Sequence, residues 1–146
     1  MPSAIPSPEF CTALNTRSTS YAWDVHGNDA SEVDIRAWAE NPHFVQNLIV
    51  NSRHADIRPN NALWIYMGAP VGRYVAKGII KSHAIEVGEF RLVMVTLDKE
   101  ATENLLDYTG PQPNINGHFP QQAFEEVNPI VLAQLRNIAN LRPASR

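Results

Sequence analysis

The sequence predicts an α+β domain: a strongly curved, mostly antiparallel, barrel-like sheet with helices packed outside it. Three observations carry that expectation. Runs rich in β-branched and aromatic residues follow one another through the middle of the chain: ALWIYM (62–67), RYVAKGIIKS (73–82) and FRLVMVTL (90–97). Such residues suit a pleated, half-buried surface. The link GAPVG between the first two has the chemistry of a hairpin loop. An amphipathic run then closes the chain, with Val131, Leu132, Leu135, Ile138 and Ala139 forming one apolar stripe.

The elements follow in order. Residues 1–18 hold three prolines with several Ser and Thr and no sustained periodicity, so they are expected to form a flexible tail, with one domain over 19–146. TSYAWDV (19–25) reads as a first strand with Tyr21 and Trp23 on one face, ended by Gly27-Asn28-Asp29. Residues 31–40 read as a helix. Ser31 takes the N-cap, Asp34 the capping-box position, and Ile35, Trp38 and Ala39 share a face. Asn41-Pro42 stops it. FVQNLIV (44–50) is a second strand, and Pro59-Asn60-Asn61 marks the turn into the aromatic strand. A short helix is expected over 99–108, a long polar loop over 109–120, and the closing helix over 128–141. Asn128 caps that last helix, with Pro129 at its first position.

Bulk properties narrow the classes. The chain has 146 residues, of which 44% are hydrophobic and 18% charged. That supports one domain with a core needing no disulfide or metal. Cys11 is the single cysteine, which excludes an internal disulfide and a Cys-rich zinc site. No apolar run approaches the roughly 18 residues of a membrane span. The opening MPSAIPSPEF has neither the basic nor the apolar region of a secretory signal. A cytoplasmic location is expected, or a nuclear one in a eukaryote, with no membrane partner.

The net charge of −3 is unevenly spread. Between Asn51 and His83, Arg53, Arg58, Arg73, Lys77 and Lys81 face one acid, Asp56, so that stretch carries +4 and the rest −7. A solvated hairpin surface and a phosphate-holding rim both fit that pattern. Chemistry is harder to find. There is no Gly-rich phosphate loop and no G-x-S-x-G elbow, and the five histidines lack metal-ligand spacing. No catalytic residue, metal or cofactor is expected.

The aromatic strand is the sharpest local feature. Leu63, Ile65 and Met67 alternate with Trp64 and Tyr66, so both faces are apolar. Strict alternation in the next strand puts Tyr74, Ala76, Gly78 and Ile80 on one face. A glycine inside a strand marks a bulge or the close approach of another group. Two readings of the aromatics stay open: core mass, or the walls of a cage for a flat guest, with cations at its rim.

The run 47–81 also carries a resemblance. Ile49-Val50-Asn51, Arg53-His54-Ala55, Ile57-Arg58-Pro59-Asn60-Asn61, Leu63-Trp64-Ile65-Tyr66 and Tyr74-Val75-Ala76-Lys77-Gly78-Ile79-Ile80 resemble the EVE family of PUA-like domains. Trp23, the short helix after it and the Asn128-Pro129 helix are similar to that family's opening and close. The resemblance implies a pseudo-barrel related to YTH and ASCH domains. It implies binding of a modified base, often methylated, flipped from a duplex or taken from a single strand, as in modification-dependent restriction. Carried over by position, Trp23 and Tyr66 are cage walls and Asn51 reads the base edge. Leu48 stands where the family often has Trp, so that wall is either missing or supplied by Trp64 or Phe90, and Asn60-Asn61 replaces the family's Gly-Asp. Arg53, Arg58, Arg73 and Lys77 are the expected phosphate contacts. The expected partner is nucleic acid, DNA before RNA, with a nuclease or NTPase domain in the same system. The alternatives are an ASCH-like enzyme pairing Lys77 with Glu86 or Glu89, and an interaction module whose pocket is filled.

Overall fold

A computed structural model describes residues 9–16, 29–30, 32–41, 43–49, 57–68, 71–88, 90–114, 117 and 125–141. The elements are β1 (Phe10–Thr16), β2 (Asp29–Ala30), α1 (Glu32–Ala39), β3 (Gln46–Ile49), β4 (Ala62–Met67), β5 (Arg73–Ile80), β6 (Ile85–Val87), β7 (Phe90–Leu97), α2 (Lys99–Asp107), β8 (Glu125–Glu126) and α3 (Pro129–Ala139). Among the described residues they form one curved sheet, ordered β2-β1-β4-β5-β7-β3, with β6 on β7 and β8 on β1. The fold is mixed α+β, with three helices among the described residues packed against the sheet. No helix among the described residues is long and apolar enough to cross a membrane.

The predicted hairpin is present: β4 and β5 run antiparallel from Ala62 opposite Ile79 to Met67 opposite Arg73. Asn60 takes the left-handed conformation, φ 74°. Its N–H reaches Ile80 O at 2.7 Å, and Ile80 N–H returns to Asn61 O at 2.9 Å, extending the ladder into the turn. Strict alternation fails in β5. Ile65 faces Ala76 but Tyr66 faces Tyr74, so Val75 is the extra residue of a β-bulge. The bulge brings Val75 and Ala76 into the same core cluster and sends Tyr74 to the opposite one. Gly78 serves a close approach, as its place in a strand suggested, but of another strand. A Cβ there would lie 2.7 Å from Val95 Cγ1 and 3.3 Å from Thr96 O, both on β7.

The tail expected over 1–18 is corrected at residues 10–16; residues 1–8 and 17–18 lie outside the described residues. Residues 10–16 form β1, which runs parallel to β4 with Phe10 opposite Leu63 and Leu14 opposite Met67. Glu9 is anchored too. Its O accepts from Val127 N at 2.9 Å, and its carboxylate accepts from Trp64 Nε1 at 2.8 Å and pairs with Arg136. The tail composition hid FCTAL because β1 is covered on both faces, with Phe10 in one core cluster and Cys11 in the other, so no apolar-polar alternation marks it. The strand expected at 19–25 lies outside the described residues. The short β6 was not expected; Gly88, with φ 60°, turns it back onto β7.

Two core clusters lie on opposite faces of β4. One gathers Leu63, Ile65 and Met67 with Ile35 and Trp38 of α1 and Val93, Val95 and Leu97 of β7. The other gathers Trp64, Tyr66 and Tyr74 with Ala101 and Leu105 of α2 and Val131, Leu135 and Ile138 of α3. Asn128 caps α3 through Ile130 N–H at 2.9 Å, with Pro129 at the helix start. The buried Asn104 of α2 donates to Ala139 O at 2.8 Å and Leu141 O at 3.0 Å, satisfying carbonyls left open where α3 ends.

Candidate functional site

Of the expected cage, Trp64 and Tyr66 are described, and both are packed into the core. Trp64 is 0% exposed and Tyr66 8%. Trp64 lies between the Glu9 carboxylate at its N–H and Lys77 Nζ, 5.3 Å from its ring centroid. Tyr66 meets Tyr74 edge-on, centroids 5.1 Å apart at 72°, and burial pushes its phenol up. Both rings are packed against α2 and α3, so their faces are taken by protein. Their burial has a plain cause: the strand is covered on both sides, so its second apolar face meets helices rather than a guest. Trp23, Asn51 and Arg53 lie outside the described residues, as does the side chain of Phe90.

The expected phosphate contacts are also separated. Arg58 is exposed beside the turn entering β4, and Arg73 opens β5 at the other end of the hairpin. Six residues of β4 lie between those ends, about 20 Å along the strand. Lys77 sits between them over Trp64. Of the two enzyme pairings, Lys77 with Glu86 is separated in the same way. Gly78, next to Lys77, pairs with Leu97, whereas Glu86 pairs with Arg91, again about 20 Å away along β7. Glu89 lies outside the described residues. Among the described residues no group of three metal-ligating side chains comes together.

The structure opens a cleft elsewhere. It lies between the segment after α2 and one side of α3, with a volume of about 410 Å³. Tyr108, Pro111 and Pro113 form one wall; Gln134, Asn137, Ile138 and Leu141 form the other. The helical wall has a simple origin. Residues 134, 137 and 138 follow the i, i+3, i+4 spacing, a stripe beside the one that buries Val131 and Leu135, and Leu141 continues the wall just past the helix end. Among the described residues that line it there is no carboxylate, ammonium, guanidinium or imidazole.

The opposite wall is held by hydrogen bonds rather than by regular structure. Arg73 Nη1 donates to Tyr108 O at 3.5 Å, and Tyr74 N–H donates to Gln112 Oε1 at 2.9 Å. Asn114 N–H crosses to α3, reaching Gln134 Oε1 at 3.3 Å, while Asn114 Nδ2 donates to Gln112 O at 2.9 Å. The Tyr108 ring rests on Gly110. A Cβ at residue 110 would lie 2.4 Å from the Tyr108 Oη and 2.6 Å from Cζ, so only glycine leaves the ring where it is. The result is one aromatic ring, two stiff prolines and two carboxamides around a space at the small end of ligand pockets.

No protein-family model, curated protein or solved structure matches the chain. The cleft residues were missed in the sequence because 109–120 reads only as polar loop and Gln134 and Asn137 as the wet side of a helix. The available signal was Pro111 and Pro113 facing a helix whose polar side carries uncharged amides.

Proposed function

We propose that this chain is a nucleic-acid-binding domain that takes a single base into the cleft between Tyr108 and α3. The observation that carries the reading is the lining: one aromatic ring and two prolines suited to a flat guest, with carboxamides able to meet the edge of a base. A base that enters must be unstacked, from a single strand or flipped out of a duplex. Arg73, bonded to the Tyr108 carbonyl, stands next to this wall and is the best-placed cation for the adjoining phosphate. The resemblance of residues 47–81 to EVE domains supports a modified base and a place beside a nuclease or NTPase in restriction. The cleft offers a seat for that base other than the buried Trp64 and Tyr66.

The test is affinity of single-stranded oligonucleotides, modified and unmodified, for the wild type and Tyr108→Ala. Loss of one stacking face should cost about 1–3 kcal/mol, roughly 5- to 150-fold, with the fold retained. Undiminished binding by Tyr108→Ala would remove the base from this cleft. A second reading, a protein-interaction module, is favoured by the packing of Trp64 and Tyr66 into the core. Absence of any oligonucleotide binding would leave that reading in place.

A further inference from the structure

We infer that Asn104 is a positioning residue for this cleft: its side-chain amide fixes where the end of α3 stands against Tyr108, and so presets the cleft for a base. The inference rests on the base-binding reading above. Asn104 and Tyr108 lie one turn apart at the end of α2. Asn104 is 8% exposed and sits in the contact where Ala101 and Leu105 of α2 meet Leu135, Ile138 and Ala139 of α3. Apolar contact of that kind is non-directional. It holds two helices together without choosing how far one slides along the other. The amide adds the direction. An NH2 group has two donors, and this one donates to Ala139 O at 2.8 Å and to Leu141 O at 3.0 Å.

The effect falls on a residue that lines the cleft. Leu141 lies past the end of α3 and is 49% exposed on the cleft wall. Its backbone is engaged at both polar groups: the N–H donates to Ile138 O at 3.2 Å, and the O accepts from Asn104. Tyr108 on the facing wall is held in the same way. Its N–H donates to Leu105 O at 3.3 Å, and its O accepts from Arg73. Asn104 therefore joins the helix that carries one wall to the segment that ends the other. The Asn114 N–H on Gln134 Oε1 makes a second tie between the walls. With both ties made, the cleft is set before any guest arrives, and a preformed site loses less entropy on binding. Without the Asn104 tie the Leu141 end samples other positions, and apparent affinity falls with the fraction of time the bound geometry is kept.

Asn104→Ala removes the tie. Asn128→Ala is the control, since it uncaps the opposite end of α3 and Asn128 is not a lining residue. Both should lower the melting temperature. Affinity for a short single-stranded oligonucleotide is measured by fluorescence anisotropy at a temperature where circular dichroism shows each variant folded. If the untied end keeps the bound geometry for roughly a tenth to a third of the time, Asn104→Ala binds about 3- to 10-fold more weakly, and Asn128→Ala binds as the wild type does. Wild-type affinity in Asn104→Ala would overturn the inference and leave base binding intact. Equal losses in the two variants would overturn it as well, since they mark a general loosening of α3. No binding by the wild-type chain would overturn both the inference and the reading it rests on. Should Asn104→Ala not fold, the wild-type amide is itself the readout by NMR. Both Asn104 side-chain protons should exchange slowly with solvent in the free chain and keep their shifts on oligonucleotide binding, while the Leu141 amide moves. Rapid exchange, or a large shift of the Asn104 pair on binding, would show that the guest sets the wall and would overturn the inference.

Discussion

Removing the indole of Trp64 tests whether the aromatic strand is core. The side chain is fully buried, its N–H donates to the Glu9 carboxylate at 2.8 Å, and Lys77 covers its face. Truncation to Ala deletes a large buried ring and leaves a cavity, a loss of about 3–5 kcal/mol. Trp64→Phe keeps much of the packing but leaves Glu9 without its indole partner, a hydrogen bond to a charged group worth about 1.5–3 kcal/mol. Because Glu9 is also paired with Arg136, the lower half of that range is expected. A cycle of Trp64→Phe and Glu9→Ala, read by urea unfolding with circular dichroism, should give a coupling energy of about 1–2 kcal/mol. A coupling near zero would mean that Glu9 and the start of β1 do not hold Trp64. A Trp64→Ala loss below about 1 kcal/mol, joined to lost base affinity, would return Trp64 to a cage.

Other outcomes follow from the same geometry. Gly110→Ala must displace the Tyr108 ring, which moves at its free end, so melting should change little while base affinity falls toward that of Tyr108→Ala; unchanged affinity would separate Tyr108 from the site. Thr12 is fully buried and its hydroxyl has no partner among the described residues, so Thr12→Val should raise stability by about 1 kcal/mol in the same urea assay. Burial raises the Tyr66 pKa above its ordinary 10.0. The fold thus favours the neutral phenol, a contribution full below about pH 10 and lost as pH rises through the folded-state value. Tyr66→Phe should flatten that alkaline fall in stability. If Arg73 and Lys77 supply two phosphate contacts, log affinity for a single strand should fall with log salt at a slope of about −1.4; a slope near zero excludes both.

Much of the fold was legible because local chemistry and tertiary role agree. The 62–67 and 90–97 strands, the Asn60 turn and the Asn128-Pro129 helix start are marked by residue type and spacing, and the structure keeps them. β1 was not legible, since its pairing partner β4 lies about fifty residues away and no turn announces it. The bulge at Val75 was equally hidden, for alternation alone cannot show where one strand gains a residue. The site was the least legible part. Trp64 and Tyr66 stand out in the sequence by size, and size is what a core uses. The cleft is built from Tyr108, prolines and amides whose meeting depends on how a loop crosses a helix, a long-range fact with no periodic signature.

Chemical-shift mapping tests the central claim most directly. Titrating the 15N-labelled chain with a short single-stranded oligonucleotide should perturb the amides of Tyr108, Gly110, Asn114, Gln134, Asn137 and Ile138, the two walls of the cleft. Those of Trp64 and Leu63 in β4 should stay still. Perturbations centred on β4 and β5 with the α3 amides unmoved would contradict the account.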